Sequence, residues 1–236
     1  MHYEAVLFDL DDTLYPYEPA AATARAAAFE RARALGYEFD RSTFADLYET
    51  GRRETKRELS GVAATHGRHN YFKRGLELVT GESRPADALA LGDAYWDAFL
   101  DAMEPAPELS ATLTAIRDAG AAVGITTNLT TRIQLRKLSR LGVAAAVDTV
   151  VTSEEVGREK PGSAMFTVPL ARLDCAPSET VVVGDNVTAD VGGGNAVGLD
   201  TVLLDRDDSV DTEDLPERHR PDHTVDALAA VREVVA

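Results

Sequence analysis

Short apolar runs alternate with helix-like segments through the second half of the chain. The apolar runs are "AAVGITTN" (121–128), "TVVTSEE" (149–155), "TVVVGDN" (180–186) and "DTVLLDR" (200–206). Between them, apolar residues recur at helical spacing in "TRIQLRKLSRLG", "SAMFTVPLARLD" and, more loosely, "ADVGGGNAVGLD". Short buried strands that alternate with helices are typical of parallel sheets covered on both faces. The pattern therefore predicts an α/β fold with a doubly wound, Rossmann-like parallel sheet.

The first strand is predicted near the N-terminus, and a helical insert separates it from the rest of the sheet. "EAVLFDLDDTLYP" begins apolar, whereas the segment after it is rich in alanine, arginine and glutamate at helical spacing. "PAAATARAAAFERARALG" predicts a helix that ends at Gly36, and "FADLYETGRRETKREL" and "ADALALGDAYWDAFLDAM" predict two more. We predict a core of residues 1–14 and 105–236 and a helical cap domain of residues 15–104. The C-terminal "TVDALAAVREVVA" predicts a final amphipathic helix.

The charge of the chain narrows the classes of partner. Its formal net charge is −16, and an acidic surface disfavours binding to nucleic acid or to anionic membranes. No apolar run reaches the roughly 18 residues of a membrane span, and no secretory pattern is visible, so we expect a cytoplasmic protein. The single Cys175 excludes an internal disulfide and a cysteine-built metal site. A surface rich in aspartate and poor in lysine resembles those of halophilic proteins, because high salt screens the repulsion between carboxylates. We therefore expect a halophilic protein.

Three carboxylates follow the first strand within four residues. Asp9, Asp11 and Asp12 repel one another, so this strand end needs a cation or a polar network unless it is a solvated turn. Ligands of parallel sheets bind at the carboxyl ends of the strands, and Thr127 and Asp185 also lie at predicted strand ends. These side chains can converge at one edge, which favours a functional site. Asp12 is expected to serve the local turn.

Four motifs in chain order point to a known family. They are "FDLDDTL" with Asp9, Asp11 and Thr13, "TTN" with Thr127 and Asn128, "GREKPG" with Lys160, and "GDNVTAD" with Asp185 and Asp190. Each motif alone is weakly specific, but their order and their positions at strand ends make the set specific. The chain resembles the haloacid dehalogenase-like hydrolase superfamily, in its branch of phosphatases with a helical cap inserted after the first motif.

The resemblance implies a magnesium-dependent phosphatase. Asp9 and Asp185, together with the backbone carbonyl of Asp11, would bind Mg²⁺, which prefers oxygen ligands. Asp9 would attack phosphorus and form an aspartyl-phosphate. Asp11 would protonate the leaving oxygen and then take a proton from the hydrolytic water. One carboxylate must stay ionised while the other holds a proton, so their pKa values must differ.

Other motif residues are suited to bind the phosphate group. The ammonium of Lys160, the hydroxyl of Thr127 and the backbone amide of Asn128 can each donate to phosphoryl oxygens. Thr127 is preferred to Thr126 because it directly precedes Asn128, and strand alternation directs only one of the two threonines toward the site. We therefore expect Thr126 to pack and Thr127 to bind.

The remaining motif residues and the cap have supporting roles in this interpretation. Thr13 would orient Asp11 or tie down the turn, and Asp190 would hold Lys160 or a metal-bound water. The cap is expected to select the substrate. Its basic residues either bind an anionic tail or a second phosphate, or pair with glutamates on a solvated helix face. These residues, with one tyrosine among them, are Arg52, Arg53, Lys56, Arg57, His66, Arg68, His69, Tyr71 and Lys73.

The favoured function is the hydrolysis of a small phosphorylated metabolite, with Mg²⁺ as the cofactor. Two alternatives stay open: a sugar phosphate mutase of the same family, similar to β-phosphoglucomutase, and a non-catalytic binding module on the same fold. The dehalogenase branch is disfavoured because it needs no second aspartate as proton donor, whereas this chain has Asp11. The sequence does not indicate an oligomeric state.

Overall fold

A six-stranded parallel sheet forms the centre of the molecule. The structure is a computed structural model and describes residues 3–235. The strands are β1 (Ala5–Phe8), β2 (Ala122–Thr127), β3 (Thr149–Thr152), β4 (Thr180–Gly184), β5 (Asp200–Leu204) and β6 (His223–Val225). Their order in the sheet is β3-β2-β1-β4-β5-β6, which places Phe8 of β1 between Ile125 and Val183. The α/β prediction is confirmed, and each of the four apolar runs contains a strand.

The described residues form ten α-helices. They are α1 (Tyr17–Ala34), α2 (Arg41–Glu58), α3 (Arg68–Thr80), α4 (Pro85–Ala102), α5 (Leu109–Asp118), α6 (Thr131–Leu141), α7 (Ser153–Val156), α8 (Ala164–Leu173), α9 (Gly192–Val197) and α10 (Val231–Val235). Helices that follow the first four cover both faces of the sheet. Alternate residues of β1 point to opposite faces. Phe8 belongs to one apolar cluster with Ile116 of α5, and Leu7 to another with Phe166 of α8. The sheet is therefore doubly wound, as predicted.

The first four helices lie between β1 and α5, where the sequence predicts the insert. Helix α1 packs against α4, α2 against α3, and α3 against α4. The first helix ends at Ala34, and Gly36 follows it with a φ of 92° that favours glycine. Helix α3 is not predicted by the sequence pattern. The division of the chain into a core and a cap of residues 15–104 stays a prediction.

The C-terminal stretch differs from its prediction. Residues 224–235 do not form one helix: His223–Val225 form the edge strand β6, paired with β5, and only Val231–Val235 are α-helical. The pairing satisfies backbone groups of β5 that would otherwise form an open edge. Leu228 and Val231 still bury their side chains against the core, which explains the apolar pattern. The predicted helix ends at Ala236, which lies outside the described residues. Among the described helices, none is long and apolar enough to cross a membrane.

Two glycines allow helices α2 and α3 to approach closely. A Cβ on Gly51 would meet backbone atoms of Tyr71 and Gly75, and a Cβ on Gly75 would meet the backbone oxygen of Leu47. Backbone atoms cannot rotate away as side-chain ends can. The crossing of α2 and α3 therefore requires glycine at both positions.

We expect Gly51→Ala to destabilise the protein. Alanine gains about 1 kcal/mol of helix propensity over glycine, but overpacking against a fixed backbone costs typically about 1–3 kcal/mol. The clash should prevail, because no side-chain rotation relieves it. Urea unfolding measures the difference, and Arg53→Ala on the exposed face of the same helix is the matched control. Equal or greater stability of Gly51→Ala would mean that the two helices can separate without cost.

Candidate active site

The ammonium group of Lys160 connects three strand ends. It donates hydrogen bonds to Oδ1 of Asp9 (2.5 Å), to Oδ1 of Asp190 (2.6 Å) and to the backbone oxygen of Thr126 (2.9 Å). These bonds use all three protons of the ammonium group. Burial alone would lower the pKa of Lys160, but the carboxylates of Asp190 and Asp9 raise it above its ordinary value. Lys160 is therefore a permanent buried cation beside the end of β1.

The turn after β4 places Asp190 beneath this lysine. Residues Val187–Val191 form a π-helical turn, and Asn186 begins it by accepting hydrogen bonds from two backbone amides at 2.8 and 3.0 Å. The second carboxylate oxygen of Asp190 accepts from the backbone amide of Asn186 (3.1 Å). A Cβ on Gly184 would collide with the carboxyl group of Asp190. The glycine before Asp185 in the motif is therefore a packing requirement.

Three carboxylates around Lys160 form a cluster that suits a divalent cation. Oxygens of Asp9, Asp185 and Asp190 lie within 4.8 Å of one another, and Thr13 donates its hydroxyl to Asp185 (3.5 Å). One ammonium group opposes three carboxylates, so two negative charges stay uncompensated when all are ionised. Mg²⁺ carries that charge and prefers oxygen ligands. Both carboxylate oxygens of Asp190 are already hydrogen-bonded, one to Lys160 and the other to a backbone amide. Asp9 and Asp185 are therefore the better-placed ligands.

The pKa values of these carboxylates reflect the crowding. Burial raises the pKa of Asp9 to about 8, with further increases from Asp190, Asp11 and Asp185 and a decrease from Lys160. Burial and the charge of Asp190 raise the pKa of Asp185 to about 6. The surroundings of both carboxylates therefore favour their protonated forms in the metal-free protein. An added cation would restore the ionised form.

Thr127 and Asn128, at the end of β2, lie beside the same cluster of carboxylates. Gln134 of α6 donates to Oγ1 of Thr127 (2.5 Å) and to the backbone oxygen of Asn128 (3.0 Å). Since Oγ1 of Thr127 accepts this bond, its own proton is available for a ligand oxygen. The side chain of Asn128 accepts from the backbone amide of Lys160 (2.8 Å). Thr126 instead donates to a backbone oxygen of α8 (2.6 Å) and packs inside the fold, as expected.

Asp11 is held by residues that the motif does not contain. Lys137 of α6, fully buried, donates to both carboxylate oxygens of Asp11 at 2.7 and 2.8 Å. The hydroxyl of Tyr15 donates to Oδ1 of Asp11 at 2.5 Å. Burial would raise the pKa of Asp11, but Lys137 and Tyr15 lower it below its ordinary value. The hydroxyl of Thr13 donates to Asp185 and not to Asp11, so of the two roles expected for Thr13, the one in the turn stays a prediction.

A cavity of about 250 Å³ lies between the strand ends and the first helices. Its lining from the strand ends includes Asp9, Asp11, Thr127, Asn128, Lys160, Asp185 and Asp190. The structure thus brings together every predicted site residue except Thr13, which contacts the cavity only through Asp185. From the helical insert, Tyr17, His66 and Arg68 complete the lining. The cavity is therefore lined by several carboxylates from the strand ends and by Arg68 from the insert.

Most of the basic cluster in the insert lies away from this cavity. Arg52 pairs with Glu49 (3.0 Å) and Arg57 with Glu54 (2.7 Å) on the exposed face of α2. His69 and Lys73 line a separate groove, while Tyr71 is buried within the insert. Only His66 and Arg68 of the cluster reach the site. The expectation of glutamate pairs on a solvated helix is correct for α2.

Four residues of the site were missed by sequence reasoning. Lys137 and Gln134 lie three residues apart on α6, so they share one face of that helix. Arg206, after β5, donates to the backbone oxygens of Asp12 and Thr13 (2.8 Å for Thr13). Tyr15 is the fourth. The signal that the sequence offered was the rarity of lysine, because Lys137 is one of only four lysines in the chain.

Asp12 is a turn residue, as expected. It adopts a φ of 61°, a conformation that aspartate tolerates better than most residues. Its carboxylate accepts a hydrogen bond from the backbone amide of Tyr17 (2.8 Å) at the start of α1. Asp12 thereby turns the chain from the strand end into the insert.

Comparison with known proteins agrees with this geometry. A family model described as haloacid dehalogenase-like hydrolase matches residues 3–198. The chain is 54% identical to the ribulose-1,5-bisphosphate 5-phosphatase of Halopiger xanaduensis, over 98% of this chain and 99% of that protein. It is 34% identical to the glyceraldehyde 3-phosphate phosphatase of Methanopyrus kandleri, over 98% and 97% of the two chains. The magnesium-bound crystal structure of the HAD-hydrolase YfnB of Bacillus subtilis shares the fold, with a TM-score of 0.77 at 22% identity and coverage of 100% and 99%.

The raised pKa of Asp185 gives a pH-dependent prediction for the metal-free protein. Because the folded pKa lies near 6 and the ordinary value is 3.8, the folded state binds the proton more tightly, so this carboxylate lowers stability as pH rises through that window. We expect Asp185→Asn in EDTA to be more stable than the wild type by about 1–2 kcal/mol at neutral pH, after discounting for solvent screening.

Urea unfolding in EDTA at about pH 4 and about pH 7.5 measures this effect. The gain should be largely lost at the lower pH, where the folded wild type holds Asp185 protonated and therefore as uncharged as the asparagine of the variant. Asp118→Asn on the exposed surface of α5 is the control for charge alone. A gain of equal size at both pH values would mean that the carboxylate is not desolvated as described.

Proposed function

Since the chain belongs to the haloacid dehalogenase-like hydrolases, we propose that it is a Mg²⁺-dependent phosphatase that hydrolyses a small sugar phosphate. The observation that carries the proposal is the bond between Asp9 and the buried ammonium of Lys160, in a cavity where the carboxylates of Asp185 and Asp190 lie close to that of Asp9. A phosphate ester is an anion, so a carboxylate nucleophile can approach it only where cations screen both groups.

The substrate we favour is ribulose-1,5-bisphosphate, cleaved at its 5-phosphate. The support is the 54% identity to a phosphatase of that name across almost the whole length of both chains. The more distant glyceraldehyde 3-phosphate phosphatases also act on a small phosphorylated carbonyl compound. Helices α1–α4 would act as the cap, which covers the substrate and excludes water during the reaction.

The first half-reaction transfers the phosphoryl group to the protein. A carboxylate oxygen of Asp9 attacks phosphorus, the bond from phosphorus to the leaving oxygen breaks, and Asp11 donates a proton to that oxygen. Lys137 and Tyr15 keep Asp11 ionised in the substrate-free protein. A phosphate group bound nearby adds negative charge, which raises the pKa of Asp11 and favours the protonated form needed here.

The second half-reaction releases inorganic phosphate. Asp11, now ionised, takes a proton from a water molecule, whose oxygen attacks phosphorus, and the bond to Asp9 breaks. Thr127 and the backbone amide of Asn128 would hold phosphoryl oxygens through both steps, and Asp190 holds Lys160 in place. Asp9 and Asp185, with the backbone carbonyl of Asp11, would bind Mg²⁺, which supplies positive charge to the phosphoryl oxygens when bound.

Phosphate release from a panel of substrates tests the proposal. The panel is ribulose-1,5-bisphosphate, ribulose 5-phosphate, glyceraldehyde 3-phosphate and para-nitrophenyl phosphate, each with Mg²⁺ or EDTA and in low or high KCl. We expect Mg²⁺-dependent turnover that is fastest with the bisphosphate and, given the acidic composition, faster in high KCl. Asp9→Asn should lose on the order of 10³-fold or more in kcat, while Asp118→Asn should not.

Two results would contradict the proposal. Formation of an isomeric sugar phosphate without release of inorganic phosphate would identify a mutase. Absence of turnover with a folded protein that also fails to bind Mg²⁺ in calorimetry would identify a binding module.

Lys137 should act as a positioning residue for Asp11. In Lys137→Met the thioether fills the aromatic surroundings, but both oxygens of Asp11 lose their cation. We expect kcat to fall on the order of 10²-fold with little change in KM, because Lys137 does not line the cavity. Lys73→Met, an exposed change on α3, is the control. An unchanged kcat would assign Lys137 to packing alone.

A further inference from the structure

Arg68 is an arginine of the insert that reaches the cavity and has no acidic partner in residues 3–235. Its guanidinium carbon lies 5.1 Å from the centre of the Trp96 ring, 5.4 Å from Tyr71 and 5.6 Å from both Tyr17 and Tyr95. It donates to the backbone oxygen of His66 (2.5 Å), and its buried Nε has no hydrogen-bond partner. The guanidinium group is thus held among aromatic rings beside the cavity.

The other arginines around it are satisfied differently. Arg52, Arg57 and Arg74 each pair with a glutamate at 2.7 to 3.0 Å near the surface of the insert. Removing a guanidinium from water costs free energy that an ion pair or a bound anion normally offsets. Cation–π contacts offset only part of it. Arg68 therefore differs from its neighbours in lacking an anion.

A second cation shares the same aromatic surroundings. The ammonium of Lys137 lies 5.6 Å from the ring of Tyr17 and 5.5 Å from that of Trp96, both of which also contact Arg68. Asp11 is the carboxylate bonded to Lys137. Two cations and one carboxylate leave one positive charge uncompensated on this side of the cavity, opposite in sign to the excess of carboxylates around Lys160.

We propose that Arg68 binds a second anionic group of the substrate, a phosphate at the end of the molecule remote from the phosphorus that Asp9 attacks. This inference rests on the proposed phosphatase function and adds the residue that distinguishes a bisphosphate from a monophosphate. The planar guanidinium presents paired donors that match phosphate oxygens. A bisphosphate then bridges the sheet edge, through the Lys160 side, and the helical insert, through Arg68.

Substrate discrimination by Arg68 variants tests the inference. We expect the wild type to prefer ribulose-1,5-bisphosphate to para-nitrophenyl phosphate, and Arg68→Met to lower that ratio of kcat/KM about 30- to 100-fold, mainly through KM. Methionine fits the aromatic surroundings, and Arg68→Lys should restore only part of the ratio because it lacks the paired donors. Arg53→Met, on the exposed face of α2, should leave the ratio unchanged.

Binding to inactive protein separates this inference from the proposed function. The affinity of ribulose-1,5-bisphosphate for Asp9→Asn, measured by calorimetry, should fall by a similar factor when Arg68→Met is added. If the wild type hydrolyses no sugar phosphate but this affinity still depends on Arg68, the proposed function fails and the anion site stands. If turnover is seen but Arg68→Met lowers kcat/KM equally for ribulose-1,5-bisphosphate and para-nitrophenyl phosphate and leaves the affinity for the bisphosphate unchanged, the second-phosphate site is overturned.

Discussion

The site depends on one buried ammonium group that holds three chain segments together. Lys160 bonds to Asp9 after β1, to Asp190 in the turn after β4, and to the backbone of Thr126 in β2. Without this cation, the carboxylates of Asp9 and Asp190, both of which are buried, would repel each other. The neighbouring features serve the same contact: Gly184 leaves room for the carboxyl group of Asp190, and Asn128 holds the backbone of Lys160.

Lys160 does not neutralise the cluster, because its single positive charge faces the three carboxylates of Asp9, Asp185 and Asp190. The carboxylates of Asp9 and Asp185 keep raised pKa values, which is a cost that a protein built only for stability would avoid. In the proposed mechanism, a bound divalent cation would offset this cost and favour the ionised form of Asp9. The same parallel sheet that aligns the strand ends also excludes water from beneath them, because both of its faces are covered by helices.

A second centre of charge, opposite in sign, joins the insert to the core. Lys137 and Arg68 lie among shared aromatic rings, and Asp11 is bonded to the first of them. The two aspartates of the first motif, only two residues apart, therefore meet different cations: Asp9 meets Lys160 of the core, and Asp11 meets Lys137 beside the insert. This separation explains how neighbouring carboxylates acquire pKa values shifted in opposite directions.

The sequence by itself determined the α/β fold, strands β1–β5 and the motif residues at their ends, because apolar periodicity and motif spacing are local properties of the chain. Only the tertiary structure decided that Lys137 reaches Asp11 across 126 positions, that Thr13 bonds to Asp185, and that Arg68 alone among the arginines of its cluster faces the cavity. It also decided that His223–Val225 pair with β5 rather than continue a helix. These outcomes depend on which surfaces meet when helices pack on a sheet, and periodicity along the chain says which face of an element is buried but not what lies against it.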